Sequence, residues 1–124
     1  IGSHGADHHN LAKLQPYEIN HQLVGSKKIL EEKLRDKIDF FAFPYGTRKQ
    51  ISHEAFLLAK RVYNFNFTAV GGKNHFALAN RYLIKRTGAS PSYSLRHLRA
   101  ILCGAKDFLY KREFEEFEEL EELK

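Results

Sequence analysis

The sequence predicts an α/β fold in which short strands alternate with amphipathic helices. Three observations carry this expectation. A dense apolar run, "IDFFAFPYG", stops at a Pro-Tyr-Gly turn. Stretches of helical periodicity flank it on both sides, and a second aromatic and β-branched run, "FNFTAV", follows the second of them. Strand, helix and strand in that order imply a parallel sheet, because parallel neighbours need a crossover connection. At 124 residues the chain is one domain at most, and such a chain buries about two-thirds of the surface it exposes when unfolded.

Each element has its own justification. Over 16–35, Ile19, Leu23, Leu30 and Leu34 share one stripe, Ser26 fills its gap, and Pro16 sits in the first turn, where a missing N–H costs nothing. Ile38, Phe40, Phe41, Ala42 and Phe43 read as a strand, 38–43, buried on both faces. "SHEAFLLAKRVY" supplies a helix with Ser52 as its N-cap. A strand is expected near 66–70, then a "GGKN" turn and a weaker strand near 82–85 in "RYLIKR". From Ser94 the chain reads as helical almost to its end, with Leu95, Leu98, Leu102, Ala105 and Leu109 as the apolar face. Residues 113–124 form an acidic amphipathic tail on the body 1–112. Its Phe114, Phe117, Leu120 and Leu123 recur every third residue, a stripe suited to core packing or a helix partner rather than to lipid. These elements are expected to form one incomplete parallel barrel or sheet. Such a sheet leaves strand edges open, so homo-oligomers through those edges or through the C-terminal helix are expected.

Composition narrows the function classes. Hydrophobic residues make up 43% and charged residues 28%. No apolar run approaches the ~18 residues of a membrane span, so no transmembrane helix is expected. The single Cys103 cannot form an internal disulfide, and its apolar setting predicts a buried thiol acting as a small hydrophobe. The chain contains no methionine and opens at Ile1 without a signal-like leader, so it reads as a piece of a longer protein. Net charge is +5, but the last twelve residues hold seven Glu against one Lys, which leaves 19 basic and 8 acidic residues, about +11, on 1–112. The basic residues are scattered and no RNA- or DNA-binding signature accompanies them, so an ordinary solvated surface is expected and nucleic-acid binding ranks last.

The chemistry concentrates in "IGSHGADHHNL". His4 and His8 stand four residues apart, so on one helical turn both imidazoles project from the same face and can chelate one divalent ion. Taken alone, such a pair is more often solvated surface than a ligand pair, and a catalytic zinc needs a third protein ligand with a position left open for water. His21, His53, His75 and His97 are assigned no chemistry, and Asp7 is expected to point away from an ion held by both histidines.

The order of this segment, the helix carrying "SKKILEE", and then "FFAFPYG" resembles the NodB-homology polysaccharide deacetylases, carbohydrate esterase family 4. The resemblance runs from Ile1 to about Asn74 and more loosely through "RYLIKR…LRAILCGAKDFLYKR". It implies the C-terminal half of a (β/α) barrel of that type. The activity it implies is hydrolysis of N- or O-acetyl groups on an acetylated carbohydrate by a metal-activated water, in a bacterial protein of the cell envelope or cytoplasm. On this resemblance His4 and His8 are the metal ligands, with zinc as the divalent metal, and His9 is a neighbour. Pro44, Tyr45 and Gly46 line the substrate groove, with the Tyr45 backbone N–H helping to hold the oxyanion. Gly5 stands where the family has Ser or Thr, and Phe41 or Phe43 where many members place an arginine that orients the base. The family's Thr-Phe-Asp-Asp segment, which carries the base and the third ligand, precedes the histidine motif and is not in 1–124, and "SLRHL" does not match its late Leu-x-His motif. The chain is therefore expected to be weak or inactive alone. The competing reading is a non-catalytic carbohydrate-binding or assembly module on the same scaffold.

Overall fold

The computed structural model describes residues 1–75 and 80–122. After a 3-10 turn at Leu11–Lys13, α1 (Pro16–Asn20) runs through a π-helical stretch, His21–Gly25, into α2 (Ser26–Leu34). Glu18 Oε2 accepts from Gln15 N–H (2.8 Å) ahead of Pro16, and Arg35 ends the helix in the left-handed conformation, so the expected 16–35 helix stands. Its stripe holds through Ile19, Leu23 and Ser26, all buried, whereas Leu34 reaches solvent. The π stretch widens one turn, and side chains bond two of its carbonyls. Ser26 Oγ donates to Gln22 O (2.5 Å) and the buried Tyr63 hydroxyl to Leu23 O (2.7 Å).

Strand β1 (Phe40–Ala42) pairs in parallel with β2 (Phe65–Phe67), Phe41 opposite Asn66. The crossover between them is α3 (His53–Val62), capped by Ser52 Oγ on Ala55 N at 3.2 Å. Single parallel bridges, Ser3 to Phe41 and Phe67 to Ile84, flank the pair. The sheet is smaller than the sequence suggested. The second strand ends at Phe67, and the 82–85 stretch contributes one bridge. Nor is β1 buried on both faces. Phe41 points into the core, while Phe40 stacks on Phe65 (5.2 Å between ring centres) on a face that stays open to solvent.

The C-terminal region departs further from expectation. Instead of one helix there are two, α4 (Leu95–Leu102) and α5 (Asp107–Glu122). Gly104 at φ +83° lets its N–H reach Ile101 O while Ala105 N–H reaches Ala100 O, both at 2.9 Å. This Schellman arrangement satisfies the last carbonyls of α4 and ends it. The change of direction dissolves the expected apolar face: Leu95, Leu102 and Leu109 are exposed. Cys103, at the end of α4, is exposed rather than buried. The tail stripe does reach the core through Phe117 and Leu120, with Phe114 packed against it; Leu123 lies outside the described residues. One hydrophobic cluster thus joins the first helix, β1, α3 and α5. No helix among the described residues is long and apolar enough to cross a membrane.

Candidate functional site

The site forms where the chain leaves its first bridge. Ser3 exchanges backbone hydrogen bonds with β1, donating to Phe40 O (2.8 Å) and accepting from Ala42 N (2.9 Å). Its buried hydroxyl lies 2.8 Å from Ser26 Oγ. Since the single Ser26 proton goes to Gln22 O, Ser3 is the donor of that pair. Burial pushes the Tyr63 hydroxyl above its ordinary range, so at neutral pH it remains a donor to Leu23 O. These groups fix the backbone under His4.

His4 and His8 do come together, but not on a helical turn as the spacing suggested. Residues 4–10 carry no helix. Gly5 at φ +82° and His8 at φ +55° fold the segment back instead, which places the two imidazole centres 4.8 Å apart, edge to face. Two imidazoles on one zinc, with Zn–N of about 2.1 Å, have centres about 5 Å apart, so the spacing fits a shared ion. His4 Nδ1 lies 2.7 Å from Ala42 O. A carbonyl only accepts, so that nitrogen carries the proton and Nε2 keeps its lone pair for a metal. Both rings are exposed. The Tyr45 ring meets His8 from another side at 4.7 Å.

The Pro44-Tyr45-Gly46 turn is built from strained backbone. Tyr45 at φ +58° and Gly46 at φ +65° are consecutive left-handed residues, and Gly46 N–H donates to Pro44 O (2.6 Å) while Ala69 N–H donates to Gly46 O (2.8 Å). No acceptor among the described residues takes the Tyr45 N–H, which leaves it available to a ligand. Among the described residues, three other than glycine have positive φ: His8, Tyr45 and the helix-ending Arg35. Two of the three thus stand at this site, as strained positions tend to do where function over-determines them.

Other sequence-selected residues lie elsewhere. Phe41 and Phe43 are fully buried and pack edge to face. His97 stacks on Tyr93, and His53 opens α3. The carboxylate of Asp7 accepts from Gln22 Nε2 (2.7 Å) and lies 3.7 Å from His21 Nε2. Among the described residues no three His, Cys, Asp or Glu side chains converge as a metal cage. The donor set therefore fits an ion to the extent of two ligands. Sequence reasoning missed Gln22, whose side chain bonds the backbone between the two histidines; a lone glutamine at a helix turn carries no signal of such a role.

The family model for polysaccharide deacetylases matches residues 1–62, half of the chain. The chain belongs to the polysaccharide deacetylase family. Its fold is similar to that of a polysaccharide deacetylase from Bacillus cereus (TM-score 0.67, 21% identity, covering 82% of this chain and 31% of that one). It is likewise similar to the deacetylase PplD of Streptococcus pyogenes, solved in complex with acetate (TM-score 0.69, 21% identity, 81% of this chain and 43% of that one). The chain thus spans about a third to two-fifths of the length of these structures. A comparison with curated protein sequences finds no significant match.

Proposed function

We propose that residues 1–124 supply the histidine half of a metal-dependent carbohydrate deacetylase that removes N- or O-acetyl groups from a polysaccharide. The observation that carries this reading is the convergence of His4, His8 and Tyr45, two of them in left-handed backbone, with His4 Nδ1 already committed to Ala42 O. Family membership and the acetate bound to the Streptococcus pyogenes relative support the acetyl chemistry. We also read the parallel pair and its flanking bridges as part of a (β/α) barrel.

His4 Nε2 and a ring nitrogen of His8 would hold the ion, zinc by the preference of imidazole donors. When bound, it supplies the Lewis acidity that activates water and polarises the acetyl carbonyl. The protein's own part is positional. Tyr45 N–H donates to the oxygen that becomes negative as the carbonyl is attacked, and Pro44 and Gly46 fix the direction of that donor. The exposed Tyr45 ring offers a flat apolar surface to a sugar. The third ligand and the general base come from outside 1–124, and without a base the ~100- to 10,000-fold contribution of proton transfer is missing.

Zinc calorimetry on the wild type and the His4→Ala, His8→Ala and His9→Ala variants, paired with acetate release from an acetylated oligosaccharide, tests this. Weak zinc binding, lost in the first two variants and kept in the third, with little or no acetate released, is the expected outcome. Zinc binding indifferent to His4 and His8 would remove the metal from the reading. Robust acetate release would show that a carboxylate within 1–124 serves as the base.

A further inference from the structure

We infer that Gln22 is a positioning residue that sets the separation of His4 and His8, a role that rests on reading those two as metal ligands. Residues 5–7 between them belong to no helix or strand, so no regular backbone ladder holds their shape. A single buried side chain does so instead. Gln22 Oε1 accepts from both Ala6 N and Asp7 N at 3.0 Å, and Gln22 Nε2 donates to Asp7 Oδ2 at 2.7 Å. The amide orientation follows from its partners, since two N–H groups need an acceptor and a carboxylate needs a donor.

Burial makes this clamp consequential. Gln22 is 2% exposed, so if the loop moves away the amide has little water to turn to, and an unmade buried hydrogen bond costs more than a made one contributes. The residue sits in the π-helical stretch, a distortion that often accompanies functional positions. A Cβ on Gly5 would lie 3.2 Å from Gln22 Oε1, so the amide takes up space that a side chain at position 5 would contest. With His4 anchored to Ala42 O and both Ala6 and Asp7 held by Gln22, the left-handed turn at His8 has one place to bring its ring.

The clamp has a polarity that permits a swap. Gln22→Glu sets a second carboxylate against Asp7 and loses the donor. Adding Asp7→Asn restores a donor and acceptor pair in reverse, and the carboxylate introduced at position 22 still accepts from the two backbone N–H groups. Gln22→Leu fills the space with no bonds. On the whole chain, zinc calorimetry is combined with NMR, which follows the ring-to-ring nuclear Overhauser effect between His4 and His8 and the exchange of the Ala6 and Asp7 amides. Gln22→Leu and Gln22→Glu should weaken zinc binding about 10- to 100-fold, the range for groups that support metal ligands, and should lose the ring contact and the amide protection. The double variant that combines Gln22→Glu with Asp7→Asn should recover most of both.

Retention of the ring contact in Gln22→Leu, or a double variant no better than Gln22→Glu, would overturn the inference. If Gln22→Leu fails to fold, the swap decides, because it preserves side-chain volume. If the wild type binds no zinc, the ligand reading falls on its own, and ring contact and amide exchange still judge the clamp.

Discussion

Replacing Gly46 with alanine tests whether the strained turn is set by the backbone around it. Gly46 sits at φ +65°, and a Cβ there would lie 2.5 Å from Ala69 N and 2.9 Å from Ala69 Cβ. The left-handed conformation costs an L-residue about 1–2 kcal/mol. The contact with Ala69 N is far inside van der Waals distance, so Ala69 has to move, and its 2.8 Å bond to Gly46 O goes with it, about 1 kcal/mol more. Together these give about 2–3 kcal/mol, or a melting temperature lower by roughly 10 °C for a chain of this size. Gly88 is the control. Nothing lies within 4 Å of a Cβ there and its φ is not left-handed, so Gly88→Ala should be neutral or stabilising by up to about 1 kcal/mol. Urea and thermal unfolding followed by circular dichroism compare the two. Equal stabilities would refute the claim that Ala69 locks the turn, and with it the account of how the Tyr45 N–H is aimed.

Further outcomes follow from the same structure. Tyr63→Phe removes the side-chain donor to Leu23 O in the π-helical stretch and should cost about 1 kcal/mol in urea unfolding; no change would mean that the Ser26 N–H and hydroxyl already satisfy that carbonyl. Asp39 is held below its ordinary range chiefly by its hydrogen bond from Lys37, which lies 2.9 Å away. Its contribution is therefore present above the unfolded carboxylate range and lost as pH falls through the depressed value, so Asp39→Asn should be less stable than wild type at pH 7 and converge with it in acid. A pH-independent gap between the two would count against the ion pair. The stacked, open Phe40 and Phe65 face, together with exposed Leu95, Leu102 and Phe108, should produce concentration-dependent self-association, and sedimentation as a strict monomer at high concentration would contradict it.

What the sequence made legible was whatever depends on local pattern. The Ser52 cap, the Pro16 start and the stop at Pro44-Tyr45-Gly46 follow from residue types acting on their own neighbours. The Gly104 break escaped because Leu98, Leu102, Ala105 and Leu109 keep helical spacing straight across it, and periodicity carries no information about a single residue taking φ +83°. The burial of β1 escaped for another reason. An apolar residue on a strand specifies that it suits a core, not that another layer covers it, and Phe40 has no such cover among the described residues. Cys103 repeats the lesson, since its apolar neighbour Leu102 is itself exposed.

The histidine pair was legible as a pair, yet the geometry that unites it is not the one its spacing suggests. An i, i+4 separation places two side chains together on a helix, whereas here the approach depends on left-handed residues at Gly5 and His8. A left-handed histidine or tyrosine sits at a cost of about 1–2 kcal/mol, and it persists only where the surroundings over-determine it. For His8 those surroundings are Gln22 and the anchored His4; for Tyr45 they are Gly46 and Ala69. Gln22 is 14 residues from His8 and Ala69 is 24 from Tyr45 along the sequence, distances at which no local pattern reaches. The chemical groups of the site were therefore readable from a short motif, while the backbone angles that aim them are fixed by residues outside it.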